Sequence, residues 1–197
     1  MPVIDYTHRP APWRGIRRYW IEGRKLLWDK GGLRGEIPLD SIRQLRMHRS
    51  PTAGREMVRC TLITDSGQKH PLLNHHWQYR CPTGGGFSPG YRDQNEAFDT
   101  FVGHLLQRLA RHAGRITYLE GPGRVEWLAS TAMFAVAIVL LIGGLALIVL
   151  SGQSPLAPLA FMAVIGLYLP VLWPIVRSGG PRPLDPASLL REWEERL

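Results

Sequence analysis

The stretch that decides the architecture is "WLASTAMFAVAIVLLIGGLALIVL", residues 127–150, followed at 157–176 by "APLAFMAVIGLYLPVLWPIV". From Trp127 to Val176 there are 50 consecutive residues without Asp, Glu, Lys, Arg or His, and all 40 formal charges lie outside them. A bilayer core about 30 Å thick needs roughly 20 apolar residues as helix. The two runs supply 24 and 20, separated by "SGQSPL", whose Gly, Ser and Pro stop a helix. Two spanning helices in a short hairpin are therefore predicted over 126–177. Pro170 and Pro174 are expected to kink or end the second, since each lacks a donor and crowds the preceding turn.

Working outward, the flanks orient the hairpin. Arg108, Arg111, Arg115 and Arg124 precede it and Arg177 and Arg182 follow it, while the connecting loop is uncharged. The positive-inside rule then places both termini in the cytoplasm of a bacterial inner membrane, as a multi-pass protein. Trp127, Tyr168 and Trp173 fall where interfacial anchors are expected. No ionisable side chain lies within either span, which argues against a lone transporter or channel. The N-terminus lacks the apolar core of a cleavable signal. Two cysteines, Cys60 and Cys81, are too few for a disulfide framework and suit a reducing compartment.

Residues 1–125 carry 20 Lys plus Arg against 11 Asp plus Glu, a net of +9, and form the expected cytoplasmic domain. "IRRYWIE" (16–22) and "RKLLWD" (24–29) flank Gly23 as a hairpin, and "DKGG" (29–32) marks a second turn. "LRGEIPLDSIRQLRMH" (33–48) predicts two strands broken at Pro38. In "REMVRCTLITD" (55–65) Val58, Cys60, Leu62 and Thr64 share one face, and "DSG" turns into a short strand "QKHPLLN". The period then changes. Phe98, Phe101, Val102, Leu105 and Leu109 line one face of a helix over about 94–113, opened by Asp93 with Glu96 and stopped by Gly114. The fold class is α+β: a small antiparallel sheet, curved and capped by one amphipathic helix. The tail, 178–197, holds a short amphipathic helix with Asp185 as cap, Pro186 first, and Leu189, Leu190, Trp193 and Leu197 as its apolar strip. Its resting place is left open among domain, membrane surface and partner.

The order "YWIEGRKLLW", "GEIPLDSIRQLRM", a strand pair around "TDSG" and a single helix resembles bacterial pleckstrin-homology-like (PH-like) domains, above all in "IPLDSI", Ile37 to Ile42. The resemblance covers roughly residues 14–113. It implies a partly open barrel capped by a C-terminal helix, serving as a scaffold for proteins or lipids and bringing no catalytic residues.

Chemistry-bearing motifs are sparse. His70, His75, His76 and Cys81 hold metal-ligand atoms, but neighbouring strand residues point to opposite faces, so His75 and His76 do not readily share an ion. The triple glycine 84–86 is not followed by the Lys-Ser/Thr of a phosphate loop, and no nucleophile elbow occurs. No cofactor is expected. Trp77, Tyr79 and Phe87 mark 72–87 as a mobile interaction loop with exposed aromatics. Arg108, Arg111, Arg115, Arg124, Arg177 and Arg182 are candidates for anionic-lipid contact. The expected function is a non-enzymatic accessory or assembly subunit of a bacterial membrane complex, partnered by another membrane protein and by lipid and not by nucleic acid. An anionic-lipid-sensing regulator is the alternative, and a metal-dependent enzyme using the His70/His75/His76 region stands third.

Overall fold

A computed structural model describes residues 4–52, 55–78, 90–111, 113–151 and 156–195. It divides into two compact units, one made of residues 1–120 with 183–197, the other of 121–182. Among the described residues the chain is α+β, with several antiparallel sheet pairings and four α-helices.

In the first unit, β1 (Asp5–His8), β2 (Arg17–Glu22), β3 (Lys25–Lys30) and β4 (Leu33–Pro38) form an antiparallel meander. Lys30 pairs with Leu33 across Gly31–Gly32, whose φ values of 64° and 95° are those of a type I′ turn, where side chains other than glycine are strained. The Asp29 carboxylate accepts the Gly32 N–H at 3.0 Å and helps close it. Gly35 is required for a different reason. A Cβ there would lie 2.4 Å from the Trp28 ring, which packs flat over the backbone of the neighbouring strand.

The break expected at Pro38 is a single 3-10 turn, Leu39–Ser41, in which the Ser41 hydroxyl donates to the Pro38 carbonyl at 2.7 Å. The second sheet follows: β5 (Ile42–Thr52), β6 (Arg55–Thr64) and β7 (Lys69–Leu73) are antiparallel. Val58, Cys60, Leu62 and Thr64 are buried, as their alternation predicts. Helix α1 (Asn95–Ala110) lays Phe98, Phe101, Val102, Leu105, Leu106 and Leu109 on the core. It ends at Ala110, short of the predicted Ala113, which instead opens a separate 3-10 turn, Ala113–Arg115. Asp93 bonds the Asn95 N–H at 3.0 Å, while Gln94 occupies the cap position.

Several elements were not legible beforehand. β8 (His75–Gln78) pairs with β9 (Gly90–Asp93), so the first part of the expected interaction loop is strand. β10 (Thr117–Glu120) joins β5 in parallel, and β11 (Arg182–Pro183) follows on its other side. Helix α4 (Pro186–Glu194) returns to the core of the first unit. Its cap is the expected one: the Asp185 carboxylate accepts the Ala187 and Ser188 N–H groups. Leu189 and Trp193 are buried, Trp193 lies 5.9 Å from Phe98 ring to ring, and the Leu184 N–H donates to the Tyr118 carbonyl at 3.0 Å. The tail thus belongs to the folded unit that begins at the other end of the chain.

The second unit is a pair of helices, α2 (Arg124–Ser151) and α3 (Leu156–Arg177). They run antiparallel: the Trp127 indole N–H donates to the Val176 carbonyl at 3.2 Å, and Met162 packs on Gly144. Among the described residues one helix, over Arg124–Ala146 with mean hydropathy 2.3, is long and apolar enough to cross a membrane, while Phe161–Arg177 forms a shorter apolar stretch. α3 does not end at Pro170 or Pro174 but continues to Arg177, held by packing such as Trp173 on Phe134 at 5.7 Å.

Candidate functional site

Strand parity creates the most unusual chemistry in the molecule. In β1 Tyr6 is buried and sets His8 on the same face; in β2 Tyr19 does this for Arg17, and in β3 Leu26 does it for Trp28 and Lys30. Cross-strand register pairs His8 with Arg17 and Arg17 with Lys30. A histidine, an arginine and a lysine therefore form one row across three strands, on the face that carries the core. From the second sheet His70 meets this row. The Lys30 ammonium donates to His70 Nδ1 at 3.4 Å and lies 4.4 Å from the centre of the Trp28 ring.

Both histidines are buried, whereas Arg17, Trp28 and Lys30 are half-buried. The His8 ring is stacked against Tyr6 at 5.6 Å and Tyr19 at 5.9 Å. Neither of its nitrogens, nor His70 Nε2, has a hydrogen-bond partner among the described residues. Burial pushes His70 down to about 4, reinforced by Lys30 and then Arg17. It pushes His8 down to about 3, reinforced by Arg17, His75 and His76. Lys30 is lowered by burial and by Arg17. Tyr19 is raised by burial; Arg17 lies near enough to oppose that shift, although no well-formed hydrogen bond joins them. Among the described residues, the charges acting on His8, Lys30 and His70 are all on basic side chains.

The opposite face of the same sheet is built differently. Arg18 pairs with Asp5 at 2.9 Å, Lys25 with Glu36 at 2.9 Å and Arg34 with Asp29 at 3.1 Å. Acids neutralise the outward cations and leave the inward row uncompensated. The signal was present in the sequence as Arg17-x-Tyr19 and Trp28-x-Lys30, where a cation takes the parity of a core residue.

The site residues that the sequence suggests are dispersed. His70 sits in β7, and His75 and His76 sit side by side in β8 opposite Asp93 and Arg92. Burial pushes both β8 histidines down, with Asp93 opposing at His75 and the Thr7 backbone opposing at His76. Cys81, Tyr79 and Phe87 lie outside the described residues. No group of three or more His, Cys, Asp or Glu gathers for a metal among the described residues. Trp77 corrects the interaction-loop expectation: it is buried at 7 % exposure in β8, and its backbone N–H donates to the Arg9 carbonyl at 2.9 Å. Pairing with β9 turns the indole inward and removes it as an exposed anchor.

Of the arginines, Arg108 donates to the Gly23 carbonyl at 2.8 Å and ties α1 to the β2–β3 turn. Arg111 and Arg115 are exposed in the first unit. Arg124 and Arg177 stand at the same end of the helix pair, with exposed Arg182 shortly after. Trp127 is half-buried at that end, while Tyr168 and Trp173 are exposed on α3. No protein-family model, curated protein or solved structure matches the chain.

Proposed function

We propose that the chain is a non-enzymatic accessory or assembly subunit of a bacterial membrane complex. Its α+β unit is a PH-like interaction domain on the cytoplasmic side, and α2 and α3 both span the membrane. One observation carries this reading: an antiparallel apolar helix pair leaves one folded unit after Glu120 and returns to it at Pro183. Val139, Ile142, Leu145, Phe161, Val164 and Leu167 are exposed on the pair, an apolar surface that water does not favour. Helices of 28 and 22 residues measure roughly 42 and 33 Å at 1.5 Å per residue, enough for the bilayer core. Arg124, Arg177 and Arg182 cluster at the chain ends of the pair, whereas Gly152 to Pro155 carry no charge, which suits entry and exit on the cytoplasmic side.

The test places single cysteines in a Cys81→Ser background. Ser154→Cys is expected to react with an impermeant maleimide on spheroplasts, and Glu194→Cys only after lysis. Equal labelling of both, or release of the chain by alkaline carbonate, rejects the two-span reading. Purification in mild detergent then tests the subunit role: one membrane protein retained in fixed stoichiometry supports it, and the chain emerging alone rejects it.

The arginine cluster favours a second reading, an anionic-lipid-sensing regulator, at roughly 1 kcal/mol for each cation near the surface. Arg108 is a weaker contributor to it because its guanidinium bonds Gly23. Replacing Arg124, Arg177 and Arg182 by Gln is expected to lower the anionic lipid co-purifying per chain. Unchanged lipid content sinks the sensing role.

A further inference from the structure

We propose that Arg17, Lys30, His8 and His70 form a binding site for a phosphate-type oxyanion on the core-facing side of the β1–β4 sheet. The inference rests on the first unit alone and does not depend on how α2 and α3 are anchored.

Cations at core-facing positions are costly, because the charge gives up water without a partner to replace it. Edge strands use inward charges to block aggregation, but β2 and β3 each have a strand on both sides. Trp28 gives Lys30 a cation–π contact and does nothing for Arg17. The outward face shows that acids are at hand to neutralise cations on this sheet, and among the described residues none is paired with the inward row. What such a row lacks is negative charge brought by a ligand.

The donors suit an oxyanion. Arg17 offers a planar fork that matches two oxygens, and Lys30 offers a point charge. His70 Nδ1 accepts from Lys30, so the neutral ring carries its proton on Nε2, a donor without a partner among the described residues. His8 adds a second neutral imidazole, also without a hydrogen-bond partner among the described residues. A divalent metal is disfavoured at the same place, since two fixed cations repel it and no carboxylate joins the set. Arg17, Lys30 and Trp28 are half-buried and therefore reachable from solvent, and the two histidines are buried. A dianion beside Arg17 and Lys30 opposes the positive charge that, after burial, holds both imidazoles neutral, so it favours proton uptake on binding.

The experiment uses the full chain in a non-ionic detergent at constant ionic strength. In one arm inorganic phosphate replaces chloride; in the other, dihexanoyl phosphatidic acid replaces the matching phosphatidylcholine in mixed micelles. Binding is followed by titration calorimetry and by the thermal midpoint. A saturable response to inorganic phosphate supports a soluble phosphate ligand, and a response to phosphatidic acid alone supports a lipid headgroup. Arg17→Gln and Lys30→Met are each expected to weaken binding about tenfold or more, one charge-assisted contact apiece. Arg18→Gln, on the outward face, is expected to stay within twofold of wild type. Without ligand, Arg17→Gln should melt at or above the wild-type temperature, because it relieves like-charge repulsion. No saturable response to either probe overturns the proposal, as does a response kept within twofold in both Arg17→Gln and Lys30→Met.

Discussion

Replacing Trp193 by Ala tests whether the end of the chain holds the first unit together. Trp193 is 1 % exposed, packs on Phe98 at 5.9 Å and, with Leu189, fixes α4 to the core. A buried tryptophan removes about 200 Å² from water, which at about 25 cal/mol per Å² is about 5 kcal/mol. Partial burial in the unfolded chain lowers this, giving about 3–5 kcal/mol, the range observed for buried aromatic truncations. Domains of this kind are stable by about 5–15 kcal/mol, so the change removes a large share. With a urea dependence near 2 kcal/mol per M, the unfolding midpoint should fall by about 2 M. Pulse proteolysis of the full chain in mild detergent reads that midpoint. Glu194→Ala, exposed on the same helix, should shift it by no more than about 0.3 M. A Trp193→Ala midpoint within that same margin would refute the structural role of α4.

Acid should weaken the fold through the two buried histidines. Their folded-state values are about 4 for His70 and about 3 for His8, below the ordinary value of 6.5. As pH falls through about 6.5 the unfolded chain takes up protons that the folded chain refuses, so stability declines until the folded pKa is reached. Each histidine contributes a slope of at most about 1.4 kcal/mol per pH unit. His70→Gln should remove one such contribution between about pH 6 and pH 4, and urea midpoints with the same pH slope as wild type would exclude this. Gly35→Ala drives a methyl into the Trp28 ring and should cost about 1–3 kcal/mol. Trp28→Leu in the same chain should cancel most of that cost, and a double-mutant cycle without coupling would contradict the packing. Cys60 is buried, and its thiol is pushed up to about 12 by burial. In a Cys81→Ser background it should stay unreactive towards a disulfide reagent at pH 8 until urea is added, and modification within minutes in native buffer would count against its burial.

Elements with a strong local pattern were legible. Gly23 and Gly31–Gly32 punctuate the hairpins, Val58 to Thr64 alternate, and Phe98 to Leu109 repeat with helical period, so β2 to β7 and α1 follow from neighbours in sequence. What escaped depends on distant partners. "DYTH" and "TYLE" are four-residue strands with little period of their own, and they exist because β2 and β5 offer them an edge. His75 to Gln78 look like loop until Gly90 to Asp93 arrive to pair with them. The amphipathic strip of α4 was visible, but nothing local says that its receptor is Phe98. The basic row does not show in a count of charge along the chain. Its meaning lies in parity, with Arg17 beside Tyr19 and Lys30 two residues beyond Trp28.

The discontinuous first unit has a consequence for biosynthesis. Residues 1–120 emerge from the ribosome first, yet the core they belong to lacks Leu189 and Trp193 until residues 183–197 follow. Between these two events the whole apolar hairpin must be made and accommodated. The first unit therefore closes last, once the chain beyond the helix pair has returned to it. Until α4 docks, Phe98 lacks the ring of Trp193 that packs against it. The docking of α4 makes completion of the first unit wait on the synthesis of the two helices that precede it.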